Sequence, residues 1–395
     1  MYSNFQAILQ SNLDYSMMWI FCVLLFYSLI YSIFLLLLRI GLKRLKDGNN
    51  NQYYSVSVII AARNEEKNIV RFLNSMKNIG YPSDRWELIV VDDRSEDSTF
   101  RLAESFKPEI PNLNIIRIEK KDINISPKKN ALEAAIRNSN GEIILTTDAD
   151  CRPKKEWISE IVSHFDKETA MVAGFSPLID NENKDNLLTS FQFIESISLG
   201  GLSASAIGLG FPLTCSGRNL AYKREIFNNI GGFGRFKTYI SGDDDLLMHL
   251  IRKKTKLKIK YAQKSIVPSI PAENFKDFIN NRLRHASKFI PYPLDVKIIS
   301  AFFYLFNLTI ILSFLCIFLM PSYLWIFIIS LLIKYFSDYS FIKKAKKKFG
   351  IKEPTQKFTV VFLLHPFYIT IFGLLGLRGK FKWKNKIYKA KNRCQ

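Results

Sequence analysis

No two cysteines in this chain stand at metal-binding spacing. The five, Cys22, Cys151, Cys215, Cys316 and Cys394, are scattered without a C-x-x-C pair. That gives neither a zinc site nor a disulfide framework, and it suits a reducing compartment. Glycine is not gathered into a phosphate loop either: no G-x-G-x-x-G follows the first apolar strand and no G-x-x-x-x-G-K-[ST] occurs anywhere. A dinucleotide oxidoreductase and a P-loop phosphotransferase are both disfavoured. Histidine is scarce, with only His164, His249, His285 and His365; His164 and His249 read as surface or core residues rather than metal ligands. Acids are in deficit, 35 against 56 basic residues for a net charge of +21. The expected partner is therefore anionic: nucleic acid, an acidic membrane surface or a phosphorylated substrate.

The apolar residues decide among these, because they collect in blocks at the two ends. Residues 17–38 form an almost uncharged apolar run followed by Arg39, Lys43, Arg44 and Lys46. The run is long enough to cross a bilayer, and its basic flank places the following domain in the cytoplasm. It exceeds the apolar core of a signal peptide and its basic residues come after it, so residues 1–46 read as an anchor. Residues 298–320 and 323–336 make two further passages, the second ending at Lys343, Lys344, Lys346, Lys347 and Lys348. A third run, 358–377, is interrupted by His365-Pro366. Crossing there would put the basic tail, 378–395, outside against the charge rule, so a hairpin bent at Pro366 is expected. Ahead of these C-terminal helices, 298–377, residues 275–290 mix Phe275, Phe278, Ile279 and Leu283 with Lys276, Arg282, Arg284 and Lys288, the pattern of an amphipathic interfacial helix. The expected setting is a multi-pass protein of the plasma membrane with an anionic substrate, and no nucleic acid.

Residues 53–271 have the composition of a soluble α/β domain. Apolar strands over 56–62, 87–91, 114–118 and 141–146 alternate with helices after Asn64 and over 128–137, which predicts a parallel sheet. Asn64, before Glu65 and Glu66, reads as a helix start. Residues 170–175 read as another strand, 187–209 as a helix or helical hairpin, and 214–225 as a turn. The stretch that organises the domain is 141–151, G-E-I-I-L-T-T-D-A-D-C. Its buried strand ends on Asp148 and Asp150, which at i and i+2 point to one side and can reach one hard cation. A solvated acidic turn is the alternative. Asp243, Asp244 and Asp245, after Ser241-Gly242, form a second acidic cluster ahead of an apolar helix. Capping explains acids there, and the helix dipole favours ionised Asp244 and Asp245.

In this order and spacing, V-S-V-I-I-A-A-R-N-E-E (56–66), V-V-D-D-R-S-E-D-S-T (90–99), D-A-D (148–150), S-G-D-D-D-L-L (241–247) and N-R-L-R-H-A-S-K (281–288) resemble membrane-bound glycosyltransferases of family 2. The resemblance implies a GT-A fold, α/β with a mostly parallel Rossmann-like sheet flanked by transmembrane helices. It implies that Ala62, Asn64 and Glu65 face the nucleotide base and ribose, that Asp93 contacts the uracil or ribose, and that Lys128 reaches the nucleotide. Asp150 would hold Mg2+ or Mn2+ on the diphosphate, with Asp148 near the ribose or on the same ion. Asp243 matches the catalytic aspartate, and Asp244 takes its place if the register slips by one. Two departures stand out. Gly242 replaces the glutamate of the family's E-D pair. The Q-x-x-R-W acceptor motif reads Asn281-Arg282-Leu283-Arg284-His285, and an imidazole offers less stacking area than an indole.

The reaction implied is inverting transfer of a sugar from a nucleotide diphosphate, a UDP-sugar, to a hydroxyl of a lipid, lipid-linked or polysaccharide acceptor, with a single transfer favoured over processive synthesis. Arg282, Arg284 and the metal would take up charge on the leaving diphosphate, and Asp243 would accept the hydroxyl proton. A non-catalytic nucleotide- or lipid-binding scaffold is the competing class; the acids at Asp150 and Asp243 weigh against it. A metal-dependent nucleotidyltransferase or phosphodiesterase is a third, and it calls for more metal ligands than these four histidines supply.

Overall fold

The computed structural model describes residues 2–120, 122, 124–179, 186–378, 380–383 and 386–389, those before Met18 and most of those after Arg378 by backbone alone. A long first helix, α1 (Tyr2–Arg44), leads into β1 (Val56–Ala62), α2 (Glu66–Met76), β2 (Trp86–Asp93), α3 (Thr99–Glu104), β3 (Leu113–Ile118) and α4 (Pro127–Arg137). Then come β4 (Ile143–Thr147), α5 (Trp157–Val162), β5 (Thr169–Phe175), α6 (Leu187–Gly208), β6 (Leu220–Lys223), α7 (Arg224–Asn229), α8 (Asp245–Lys254) and β7 (Lys258–Ile266). The chain ends in α9 (Phe275–Ala286), α10 (Leu294–Ile317), α11 (Leu324–Phe349), α12 (Phe358–Leu377) and a small antiparallel pair, β8 (Lys380–Trp383) and β9 (Lys386–Lys389).

Seven strands form one sheet in the order β3-β2-β1-β4-β6-β5-β7, parallel except for β6. The apolar runs of β1, β2 and β4 are buried on both faces, as parallel strands under helices require. Alternate side chains supply two cores. Val58, Ile60, Leu88, Val90 and Leu145 pack against α2 and α5. Ile59, Ile89, Val91 and Ile144 face α4, and the same core runs on through α6 into α1, α10, α11 and α12. Two glycines let α1 and α6 touch backbone to backbone: a β-carbon on Gly41 would lie 2.1 Å from the Ser205 carbonyl oxygen, and one on Gly208 would lie 2.2 Å from that of Gly41. Phe175 of β5 stacks on Phe349 of α11 at 4.2 Å. The sheet and the apolar helices thus share one core.

Of the helix and the hairpin left open for 187–209, the chain forms the single helix. Several other expectations need correction. The 214–225 segment is not only a turn: it contains β6, four residues whose partners β4 and β5 supply the pairing that so short a strand cannot signal. β7 was not expected either, since lysines at 258, 260 and 264 mask its alternation as an edge strand. Asn64 does not cap α2; Glu65 is the cap residue, and its carboxylate accepts from the Asn68 side-chain amide (2.8 Å) rather than capping a backbone amide. The 358–377 run is one helix through Pro366, not a hairpin, because neighbouring helices hold a chain that loses one backbone donor.

Among the described residues, four helices are long and apolar enough to cross a membrane: Met18–Arg44, Leu294–Ile317, Pro321–Phe349 and Phe358–Leu377. The last, however, meets the others at one level. Near its start, Phe358 packs on Tyr335 and Tyr339, and Phe362 lies under Lys334, whose ammonium also sits over Tyr31. Near its end, Gly373 abuts Tyr304, next to Phe303, which itself packs on Tyr31. Both ends of α12 therefore lie at the height of Tyr31, and the helix runs across the bundle. Beyond it, Phe381 of β8 and Tyr388 of β9 pack against Ile240 of the sheet domain and Leu283 of α9; of the basic tail, 379, 384–385 and 390–395 lie outside the described residues. In a background freed of native thiols, Lys352→Cys and Arg378→Cys should label with an impermeant maleimide from the same membrane side as Lys120→Cys. Labelling of Arg378→Cys from the opposite side would refute the transverse placement.

Candidate active site

Between β1 and β4 the strand order reverses, and at their carboxyl ends lies a cavity of about 860 Å³, where open α/β sheets bind ligands. Its floor is set by two buried threonines that close β4. The Thr146 hydroxyl donates to the carbonyls of Gly217 (3.2 Å) and Leu220 (3.1 Å), and that of Thr147 to Arg218 (2.8 Å). These bonds pin the Ser216-Gly217-Arg218 loop over Asp148 and Asp150.

Lys128, in the first turn of α4, donates to Asp148 Oδ1 (2.8 Å) and sits 2.9 Å from Asp243 Oδ2. Burial pulls its ammonium toward neutrality, but the two carboxylates more than offset that and hold it charged. Asp148 is the mirror case: burial raises it, while Lys128, Arg218 and Arg284 bring it below the ordinary carboxylate range. Asp150, which accepts from the Ser269 hydroxyl at 3.1 Å, is raised by burial and by the charge of Asp148. Among the described residues no group of three or more His, Cys, Asp or Glu side chains is placed to hold a metal. Two hard oxygen donors, one of them short of positive charge, fit Mg2+ or Mn2+, ions that keep waters and take further ligands from substrate phosphates.

The three consecutive aspartates divide their work. Gly242 has φ +85°, and a β-carbon there would lie 2.5 Å from Leu246 Cδ1, so this backbone has no room for the glutamate of the family pattern. Asp244 caps α8; it accepts from the Gly217 amide (3.1 Å) and from Lys288 (2.9 Å). Asp245 accepts from Lys288 (2.8 Å) and from the Tyr292 hydroxyl (2.5 Å). Asp243 instead faces Lys128. Burial raises Asp244 too, but Lys288 outweighs it and the group stays well below the usual range. Asp245 is pushed up to about 7 by burial and by Asp244; at this depth desolvation overrides the dipole effect expected for it.

At one end of the cavity stand Ala62, Glu65 and Asp93, the last paired with Arg94 at 2.7 Å. Asn64 does not line it. Its amide donates to Ser95 Oγ (3.0 Å) and its side-chain oxygen accepts from the Glu96 amide (2.9 Å), tying the loops after β1 and β2. On the α9 side, Arg284 acts on Asp148, and burial together with Lys288, Arg284 and Arg282 keeps His285 neutral. Arg282 departs from expectation: its guanidinium lies 2.6 Å from Glu195 of α6, a carboxylate that also accepts from the Tyr368 hydroxyl of α12. A carboxylate partner from a distant helix has no signal in sequence. Also unanticipated were Glu195, Lys288 and Arg218; an arginine between a glycine and a strand was the available hint for Arg218. The far end of the cavity is apolar, with Tyr304 of α10 and Ile369, Phe372, Leu374 and Leu377 of α12.

Residues 57–231 match the family model described as Glycosyl transferase family 2. The probable glycosyltransferase YdaM of Bacillus subtilis is 32% identical over 47% of this chain and 44% of that protein. A beta-monoglucosyldiacylglycerol synthase of Trichormus variabilis is 26% identical over 49% of this chain and 41% of that protein. The chain spans less than half the length of these two relatives. The solved mannosyltransferase PcManGT from Pyrobaculum calidifontis, in complex with GDP-Man and Mn2+, superposes over 91% of this chain and 97% of its own, with a TM-score of 0.57 and 16% identity. That likeness shows the fold: α/β, mostly parallel, of the GT-A kind.

Lys288 is the cation between two buried carboxylates. Lys288→Met should therefore cost about 3–5 kcal/mol of stability, read by denaturant unfolding in detergent, and adding Asp245→Asn should recover part of it. An unchanged midpoint in Lys288→Met would contradict this account of the cluster.

Proposed function

Residues 57–231 match the glycosyltransferase family 2 model, and from that match we propose that the protein is an inverting glycosyltransferase. It moves a sugar from a UDP-sugar to a hydroxyl of a lipid or lipid-linked acceptor at the plasma membrane, with the sheet domain on the cytoplasmic side. The observation that carries this reading is the shape of the cavity: one end holds Asp148, Asp150 and Asp243, and the other is built of apolar side chains from α10 and α12. A small, wholly polar acceptor would have no use for the second half. The name of the Trichormus relative, a glucosyldiacylglycerol synthase, agrees with a lipid acceptor.

The diphosphate lies against Arg218, Arg284 and Lys128, whose charges favour the leaving group more as its charge grows. A divalent ion on Asp148 and Asp150 would add Lewis-acid stabilisation of that group. Lys128 fixes Asp243 within two hydrogen-bond lengths of Asp148, so the carboxylate stands beside the donor site rather than at random in the cleft. Asp243 takes the proton of the acceptor hydroxyl as oxygen attacks the anomeric carbon from the face opposite the diphosphate, which inverts that centre. Asp244 and Asp245 are bound to Lys288, Gly217 and Tyr292 and serve to place the loop.

Release of UDP from UDP-glucose, UDP-galactose and UDP-N-acetylglucosamine, with and without added membrane lipid, tests the reading. Asp243→Asn should lower kcat at least about a hundredfold with little change in UDP affinity, and Asp244→Asn should act mainly through stability. An active Asp243→Asn beside a dead but folded Asp244→Asn would move the base by one residue. Asp150→Asn and EDTA should each abolish turnover, and Asp150→Asn should weaken UDP-dependent Mn2+ binding measured by electron paramagnetic resonance. Full activity in EDTA would remove the metal.

A further inference from the structure

The segment leading to Asp243 is lashed to the start of α4 at every second residue. The Ser126 amide donates to the Lys237 carbonyl (2.8 Å), Lys129 Nζ donates to the carbonyls of Tyr239 (2.5 Å) and Ser241 (2.9 Å), and Lys128 holds the Asp243 carboxylate. These bonds turn the carbonyls of residues 237, 239 and 241 and the carboxylate of Asp243 toward α4. Ile240 turns the other way, against Leu283, Phe381 and Tyr388. Lys129 is wholly buried, with its ammonium over the Phe233 ring at 5.8 Å. A buried ammonium bound to carbonyls alone is costly to keep; two apolar neighbours on α4, Ala131 and Leu132, show that the helix packs without it.

We propose that Lys129 is a positioning residue: by gripping the Tyr239 and Ser241 carbonyls it fixes the strap 237–243 and thereby sets the Asp243 carboxylate against Lys128. The two adjacent lysines then have separate tasks, one on side chains and one on backbone. The inference rests on Asp243 acting as the base. Four charges face Lys129: Asp243 and Asp244 from the strap and the cap of α8, Lys288 from the turn after α9, and Lys128 beside it on α4. Burial brings Lys129 down to about 8 against the pull of the two acids. The grip is therefore charge-assisted below that pH and weakens as pH rises through it.

The test uses the full chain in detergent. Lys129→Met should lower kcat at least tenfold while UDP affinity stays within twofold, and hydrogen exchange should quicken in 237–243 but not in the sheet. Native kcat should decline above pH 8; Lys129→Arg, charged at all pH, should recover much of the rate and abolish that decline. Unchanged kcat and exchange in Lys129→Met would overturn the proposal, as would a Lys129→Arg protein that folds yet keeps the native alkaline decline. Should Lys129→Met fail to fold, the Lys129→Arg pH profile decides. If Asp243→Asn retains its rate, the assignment of the base fails; if Asp243→Asn is dead and Lys129→Met is not, only this inference does.

Discussion

The ammonium of Lys128 is the point on which the site depends. It joins Asp148, at the end of a central strand, to Asp243, on a loop reached only after two more strands. Taking three charges out of water is expensive, and their mutual attraction returns little beyond that cost. Apolar residues of similar volume would serve stability at least as well. What the cluster secures is geometry: with Lys128 in place, the strand that ends at the diphosphate side and the loop that carries the proposed base cannot drift apart.

The same logic orders the charges around it. Lys288 stands between Asp244 and Asp245, and Arg282 on Glu195, so these acids are neutralised before any substrate arrives. Asp150 is different. Its neighbours are a hydroxyl from Ser269, a thiol from Cys151 and the like charge of Asp148, with Arg218 acting only in part against them. On the proposed reading, a carboxylate so placed would gain from a cation that comes with the donor, a physical reason for metal and nucleotide to bind together rather than in sequence.

Sequence exposes some of this and hides the rest for identifiable reasons. β1, β2 and β4 were legible because strands buried on both faces are continuous apolar runs, and Asp93, Asp148 and Asp150 were legible because they interrupt such runs at their ends. Asp243 was legible from its distance to the Asp-Leu pair that starts α8. β6 and β7 were not, since one is four residues long and the other alternates with lysine at a sheet edge. The true duties of Asn64 and Arg282 were hidden for another reason: each is set by a partner on a remote segment, Glu96 and Glu195 respectively. The transverse course of α12 is likewise a matter of packing, for hydropathy reports that a helix is apolar and says nothing of its direction.

That course bears on how an acceptor reaches the site. Had α12 stood upright beside α10, the cavity would end at a wall of parallel helices. Lying across at the level of Tyr31, it instead roofs the space beneath the sheet and lends it Ile369, Phe372 and Leu377, while Tyr368 reaches inward to Glu195. The Glu195–Arg282 pair then sits where the apolar half meets the polar half, each side chain about 9% exposed. On the lipid-acceptor reading, an amphiphile that enters along α12 meets its first strong dipoles there, and lodging its head beyond them while its chain stays behind gives up no apolar contact. On that reading the boundary between the two halves would orient the acceptor, hydroxyl toward Asp243, before any catalytic group has to act on it.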